Sequence, residues 1–174
     1  MKLDFDVCFD RVIGHEGRFQ KIEGDRGNWT GGQVRKGVLK GTKFGISAMS
    51  YPTLDIESLT VEDAKRIYRR DWWDKLQMDL FKPALSYQMF DAAINHGMSN
   101  ATKMLQRAVA VEDDGVIGPA TRRAVDITPL DDLLMLFLGE RLDFMTYVGT
   151  WDTFGKGWAR RIALNLKLAA EDTP

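Results

Sequence analysis

A mainly α chain with one small glycine-rich β excursion, an α+β arrangement, is the fold class that the sequence predicts. Three observations carry it. Apolar residues recur at spacings of three and four along most of the chain. Glycines 24, 27, 31, 32, 37, 41 and 45 crowd into one early stretch, which no helix of that length would tolerate. The length, 174 residues with 44% hydrophobic content, suits one well-buried domain better than two.

In order, the first helix spans about residues 3 to 16, with Phe5, Phe9, Val12 and Ile13 on one face, and closes at Gly17. The glycine-rich segment follows, with Val34, Val38 and Leu39 as material for loops and a short hairpin. "LTVEDAKRIYRRDWWDKL" begins a second helix with Thr60 as N-cap and acidic residues in the first turn. "KPALSYQMFDAAINHG" opens a third at Pro83 and stops it at Gly97. "SNATKMLQRAVAV" is a fourth, and after the turn "EDDGVIG" a short helix starts at Pro119. "TPLDDLLMLFLGERLDFMTYV" and "GWARRIALNLKLAAED" are the last two. There is no low-complexity linker and no repeat.

Composition excludes several classes of function. With 24 basic and 25 acidic side chains the global field does not suit a nucleic-acid binder. Two histidines and one cysteine make no credible metal cluster, the Walker-type, GxSxG and HExxH motifs are missing, and the acids at 112 to 114 do not alternate as a calcium loop requires. No cofactor is expected. Cys8 lies on the apolar face of the first helix as a small hydrophobe. The N-terminal "MKLDFDVCFD" lacks the apolar run of a signal peptide, and no stretch is long enough for a membrane span, so the expectation is a chain made in the cytoplasm, without stable membrane insertion, and monomeric.

The chemistry centres on "RVIGHEGRFQKIEGD". Glu16 continues the apolar face of the first helix, four residues past Val12 and three past Ile13, so its carboxyl points toward the body of the protein, where a carboxylate is expensive unless used. Downstream, Asp25 and Thr42 lie in the irregular segment, which can fold back over a helix end. A carboxylic acid of raised pKa plus a second polar or anionic group is the inventory for cleaving a glycosidic bond. On that feature alone the same glutamate reads as a solvated helix end.

The order of these parts, "EG", an aspartate after a short loop, then "GT" and "GIS", resembles the active-site strip of phage-type lysozymes. With "EGRF", "DRGNW", "GTKFGIS", "YRRDWW", "FDAAINHG", "LQRAVAVEDDGVIGPATRRAV" and "FGKGWARRI", nearly the whole chain resembles glycoside hydrolase family 108, the N-acetylmuramidases of phage endolysins and prophage regions. The resemblance implies a single lysozyme-like catalytic domain over 1–174. It implies bacterial peptidoglycan as the partner, the β-1,4 bond between N-acetylmuramic acid and N-acetylglucosamine as the target, Glu16 as general acid, and Asp25 and Thr42 beside it. A phage role further implies release from the host cytoplasm with a holin. The stretch at about 98–127 is similar to the helix-turn-helix of peptidoglycan-binding modules, embedded here in the domain.

Other residues keep two readings. Of the adjacent Trp72 and Trp73, one should enter the core and one face a groove; Trp73, with Tyr68, is the candidate sugar-stacking surface. Asp91 and Asn95, one turn apart, could hydrogen-bond sugar N-acetyl and hydroxyl groups or serve an internal network. His15 is a helical neighbour pointing elsewhere. Arg26, Arg35, Lys36, Lys40 and Lys43, in a stretch without acids, form a strip that could attract an anionic wall or be a solvated hairpin tip.

Overall fold

The structure, a computed structural model, describes residues 3–13 and 18–173. It has seven helices among the described residues, α1 Phe5–Val12, α2 Val61–Tyr68, α3 Pro83–His96, α4 Met98–Ala108, α5 Pro119–Ile127, α6 Leu130–Thr146 and α7 Trp151–Asp172, and one antiparallel pair, β1 Thr42–Lys43 with β2 Ile46–Ser47. This is the mainly α, α+β lysozyme-like class expected. The chain forms two compact units, Phe5–Asp71 and the residues from Trp72 onward with the few before Phe5.

In the first unit the apolar face of α1 does what its spacing predicts: Phe5, Phe9 and Ile13 are buried, and Cys8 is completely enclosed. Thr60 caps α2 through a reciprocal capping box with Asp63, satisfying two otherwise orphaned amides. The hairpin sits later than Val34 and Val38, which are exposed. Strands β1 and β2 are joined through Phe44 and Gly45, whose φ angles of 52° and 75° are those of a turn matched to strand twist. Glycine is required at the second position, because a Cβ there would stand 2.6 Å from the Tyr68 hydroxyl. Phe44 is held in its unusual conformation by a buried ring and by its carbonyl, which accepts the Tyr68 hydroxyl at 2.9 Å.

The second helix ends as a regular α-helix at Tyr68 and passes into a wider π-helical turn over Arg69–Trp73, whereas periodicity predicts α to residue 76. The wide turn has a reason. Tyr68 and Trp73 are both buried, and five residues is the repeat of a π turn but lies well off one face of an α-helix.

The second unit is built around α3, in which every residue from Ala84 to Ala93 is buried. Helices α4, α6 and α7 pack on it, and Phe90, Met104, Leu105, Leu133 and Phe137 fill the core. A helix buried all round must satisfy its polar groups internally. Ser86 donates to the Met78 carbonyl at 2.7 Å, Tyr87 to Asn165 Oδ1 at 3.0 Å, and Gln88 to the Asn165 carbonyl at 3.1 Å. The turn between α4 and α5 is tied by Gln106, whose Nε2 donates to Asp114 and to the Val116 carbonyl while its Oε1 accepts the Gly115 amide. No described helix is long and apolar enough to cross a membrane.

Candidate active site

Glu16 and His15 lie outside the described residues. Their two expected companions are described, and both belong to the first unit. Asp25 caps the 3₁₀ turn Arg26–Asn28: Oδ1 accepts the Gly27 amide at 2.8 Å, and Oδ2 accepts Asn28 Nδ2 at 2.8 Å. The carboxylate is otherwise exposed.

Asn28 is the residue that sequence reasoning missed. It is 0% exposed. Besides donating to Asp25, its Oδ1 accepts the Ile22 amide at 3.1 Å, and its carbonyl accepts the amides of Lys40 at 2.9 Å and Gly41 at 3.1 Å. Thr42 is the next residue in the chain, bridged both ways to Gln20 at 2.8 Å and paired with Ser47 on β2. Gly41 allows this close approach, since a Cβ there would stand 2.4 Å from the Gln20 carbonyl oxygen. The side chain of one buried asparagine thus holds Asp25, and its backbone carbonyl holds Gly41, the residue before Thr42. The Thr42 hydroxyl has no hydrogen-bond partner among the described residues, which leaves it able to hold a water. The sequence signal for Asn28 is the Asp-x-x-Asn spacing inside "DRGNW", a stretch that entered above only as part of the irregular segment and of the family resemblance.

The groups assigned to sugar contact are placed differently from expectation. Tyr68 is buried, with its hydroxyl on the hairpin turn and its ring edge-on to Phe9 at 5.6 Å; burial pushes the phenol up to about 12. It anchors the turn rather than offering a face to a sugar. Trp73 is the member of its pair that enters the core: 3% exposed, donating its indole N–H to Asp79 at 2.8 Å and packed edge-on to Phe90 at 5.5 Å. Trp72 is the half-buried one.

Asp91, 1% exposed, serves the internal network. Arg161 pairs with both of its oxygens, Asn165 Nδ2 donates to Oδ2 at 2.9 Å, and Arg141 Nη1 lies 2.6 Å from Oδ2 as an ion pair without hydrogen-bond alignment. Burial alone would raise its pKa, but the guanidiniums of Arg141 and Arg161 outweigh that and hold it below the usual carboxylate range. Asn95 is exposed and donates to the Asp91 carbonyl at 2.7 Å. The Asp91 side chain is buried while Asn95 is exposed, and one-turn spacing could not show that α6 and α7 supply arginines to the carboxylate.

The basic strip is also divided. Lys40 Nζ donates to the Pro52 and Leu54 carbonyls at 2.8 and 3.1 Å, and Lys43 Nζ to the Glu57 carbonyl at 2.8 Å. These two stitch loops together, and Arg26, Arg35 and Lys36 are the exposed charges.

Comparison with known proteins gives this scaffold its relatives. No curated protein matches the chain by sequence. Among solved structures, SagA of Brucella abortus is similar over 96% of this chain and 94% of its own, with 29% identity and a TM-score of 0.77. The family described as Glycosyl hydrolase 108 matches residues 9–97, more than half of the chain, including the Glu16 segment, Asp25, Asn28 and Thr42. The chain therefore belongs to glycosyl hydrolase family 108 and is a glycoside hydrolase with a lysozyme-like fold.

Proposed function

We propose that this glycoside hydrolase is a muramidase of the endolysin type, cleaving the β-1,4 bond between N-acetylmuramic acid and N-acetylglucosamine in bacterial peptidoglycan. Glu16 is the general acid and protonates the leaving glycosidic oxygen. Asp25 and Thr42 hold the water that attacks the anomeric carbon from the other side, with Asp25 taking its proton; this is the division of labour of an inverting hydrolase. The observation that carries the reading is that the buried Asn28 ties down both Asp25, through its side chain, and Gly41, the residue before Thr42, through its backbone carbonyl. A carboxylate fixed by two donors and an uncommitted hydroxyl are what water positioning needs. A lytic transglycosylase would cut the same bond with an internal sugar hydroxyl in place of water and needs neither group.

Purified peptidoglycan digested by the protein and reduced with borohydride tests the proposal. The expected fragments end in reducible N-acetylmuramic acid. Fragments lighter by one water and inert to the reductant would replace hydrolysis by transglycosylation. Glu16→Gln keeps the size of the side chain but cannot give up a proton, so clearing of wall suspensions should fall by about 10²-fold or more. Near wild-type clearing by that variant would remove Glu16 from the chemistry.

A further inference from the structure

A cavity of about 280 Å³ opens in the helical unit between the end of α3, the end of α6 and the first turns of α7. Phe144, Val148 and Trp158 supply its apolar wall, and Asn95, His96 and Arg161 its polar side. We infer that this cavity seats the acetamido group of an N-acetylated sugar; the inference rests on the reading of peptidoglycan as substrate.

The hydrogen-bonding pattern is fixed by the protein. Arg141 Nε, which can only donate, is 3.1 Å from His96 Nε2, so that nitrogen accepts and the proton of the neutral ring is on Nδ1. Burial first, and then the Arg141 charge, push the His96 pKa down to about 4, so the neutral ring prevails at ordinary pH. Nδ1–H meets no partner among the described residues, which makes it a donor for a ligand carbonyl. Asn95 has the opposite polarity. Its Nδ2 is engaged by the Asp91 carbonyl, leaving Oδ1 as an acceptor for a ligand N–H.

An acetamido group carries a carbonyl, an N–H and a methyl together, and the cavity offers a donor, an acceptor and an apolar wall. Trp158 extends that wall: its ring centroid is 6.0 Å from Trp151 and 6.1 Å from the exposed Phe154, giving an aromatic surface of the kind on which sugar rings pack. A hydroxyl in place of the acetamido group would leave the wall without a methyl. A free amine would be protonated, would lose the acceptor and would meet the guanidinium of Arg161. The cavity therefore discriminates by N-acetylation.

Calorimetric titration of the full chain with the β-1,4 trimer of N-acetylglucosamine and with cellotriose, the same linkage without acetamido groups, tests this without turnover. The N-acetylated trimer should bind at least about tenfold more tightly, and Asn95→Ala should lose roughly tenfold for that trimer while leaving cellotriose unchanged. Asn95 is exposed, so the variant keeps the fold. Trp158→Leu should weaken both sugars. Equal affinity for the two sugars, no detectable binding of the N-acetylated trimer, or an Asn95→Ala variant that binds it like wild type would overturn the inference. The Glu16→Gln lysis assay separates the two levels: a dead variant beside an indifferent Asn95 discards the cavity alone, and an active variant discards the catalytic assignment alone.

Discussion

The two units are built by different economies of interaction. From Trp72 onward the fold is apolar burial around α3, with ten consecutive buried residues and most of the polar groups among them paired. Between Arg18 and Ser50 regular structure is almost absent, and the chain is ordered by single polar contacts: Asp25 on its turn, Asn28 joining four other residues, lysines tied to carbonyls. A helical core tolerates small errors because many contacts share the load, whereas a loop scaffold concentrates its specification in a few side chains. Candidate catalytic groups fall in the second kind of region, where one bond can set one carboxylate.

The largest effect should come from the helical unit. Asp91→Ala would leave the buried Arg141 facing Arg161 with no carboxylate between them, and loss of one member of a buried charge network destabilises by about 3–5 kcal/mol. Chemical denaturation should show a much lower midpoint. A stability unchanged within error would mean that the network is incidental and that packing alone holds α3, α6 and α7.

Asn28→Ala sharpens the comparison from the other side. It removes the partner of the Ile22 amide and the donor to Asp25, a loss of about 1–3 kcal/mol. Its effect on wall clearing should exceed its effect on melting temperature, with turnover reduced more than substrate affinity, because what is lost is the placement of Asp25, while the backbone carbonyl that holds Lys40 and Gly41 remains. Proportionate loss in both would make Asn28 an ordinary structural residue.

The smallest effect is a pH dependence. The folded pKa of His96, about 4, lies below its ordinary 6.5, so protonation favours the unfolded chain. Its contribution is complete above 6.5 and is lost as pH falls through 4, in the company of Arg141 and Arg161, which oppose a third positive charge, and of Asp91, which favours it. Melting temperature should decline over that interval, and His96→Gln should flatten the decline. An identical profile in the variant would assign the acid sensitivity to other groups.

Helices were the legible part of the sequence, because burial of one face writes itself as a three-four repeat and caps such as Thr60, Pro83 and Gly97 mark the ends. The π turn at Arg69–Trp73 was not legible, since inserting a residue into a helix leaves the composition unchanged and only the burial of Tyr68 and Trp73 reveals it. Asp25 and Thr42 are proposals that rest on residue type and order. Asn28, which holds Asp25 and Gly41, could not be picked out that way, because its importance comes from bonds to backbone groups far along the chain, and backbone amides have no letter. Tyr68, Trp73 and Asp91 are buried in networks of their own for a reason the sequence could not show: aromatic and acidic side chains suit both clefts and interiors, and only the tertiary neighbours decide.

The enclosed thiol of Cys8 has a consequence for where such a molecule can work. It is the single cysteine of the chain and has no exposed surface, so this chain supplies no second thiol for a bridge and the buried sulfur is shielded from oxidants. Folding has no oxidative step to await. The same scaffold can be completed in a reducing medium and carried into an oxidising one without a change in its covalent bonds, whatever route takes it there.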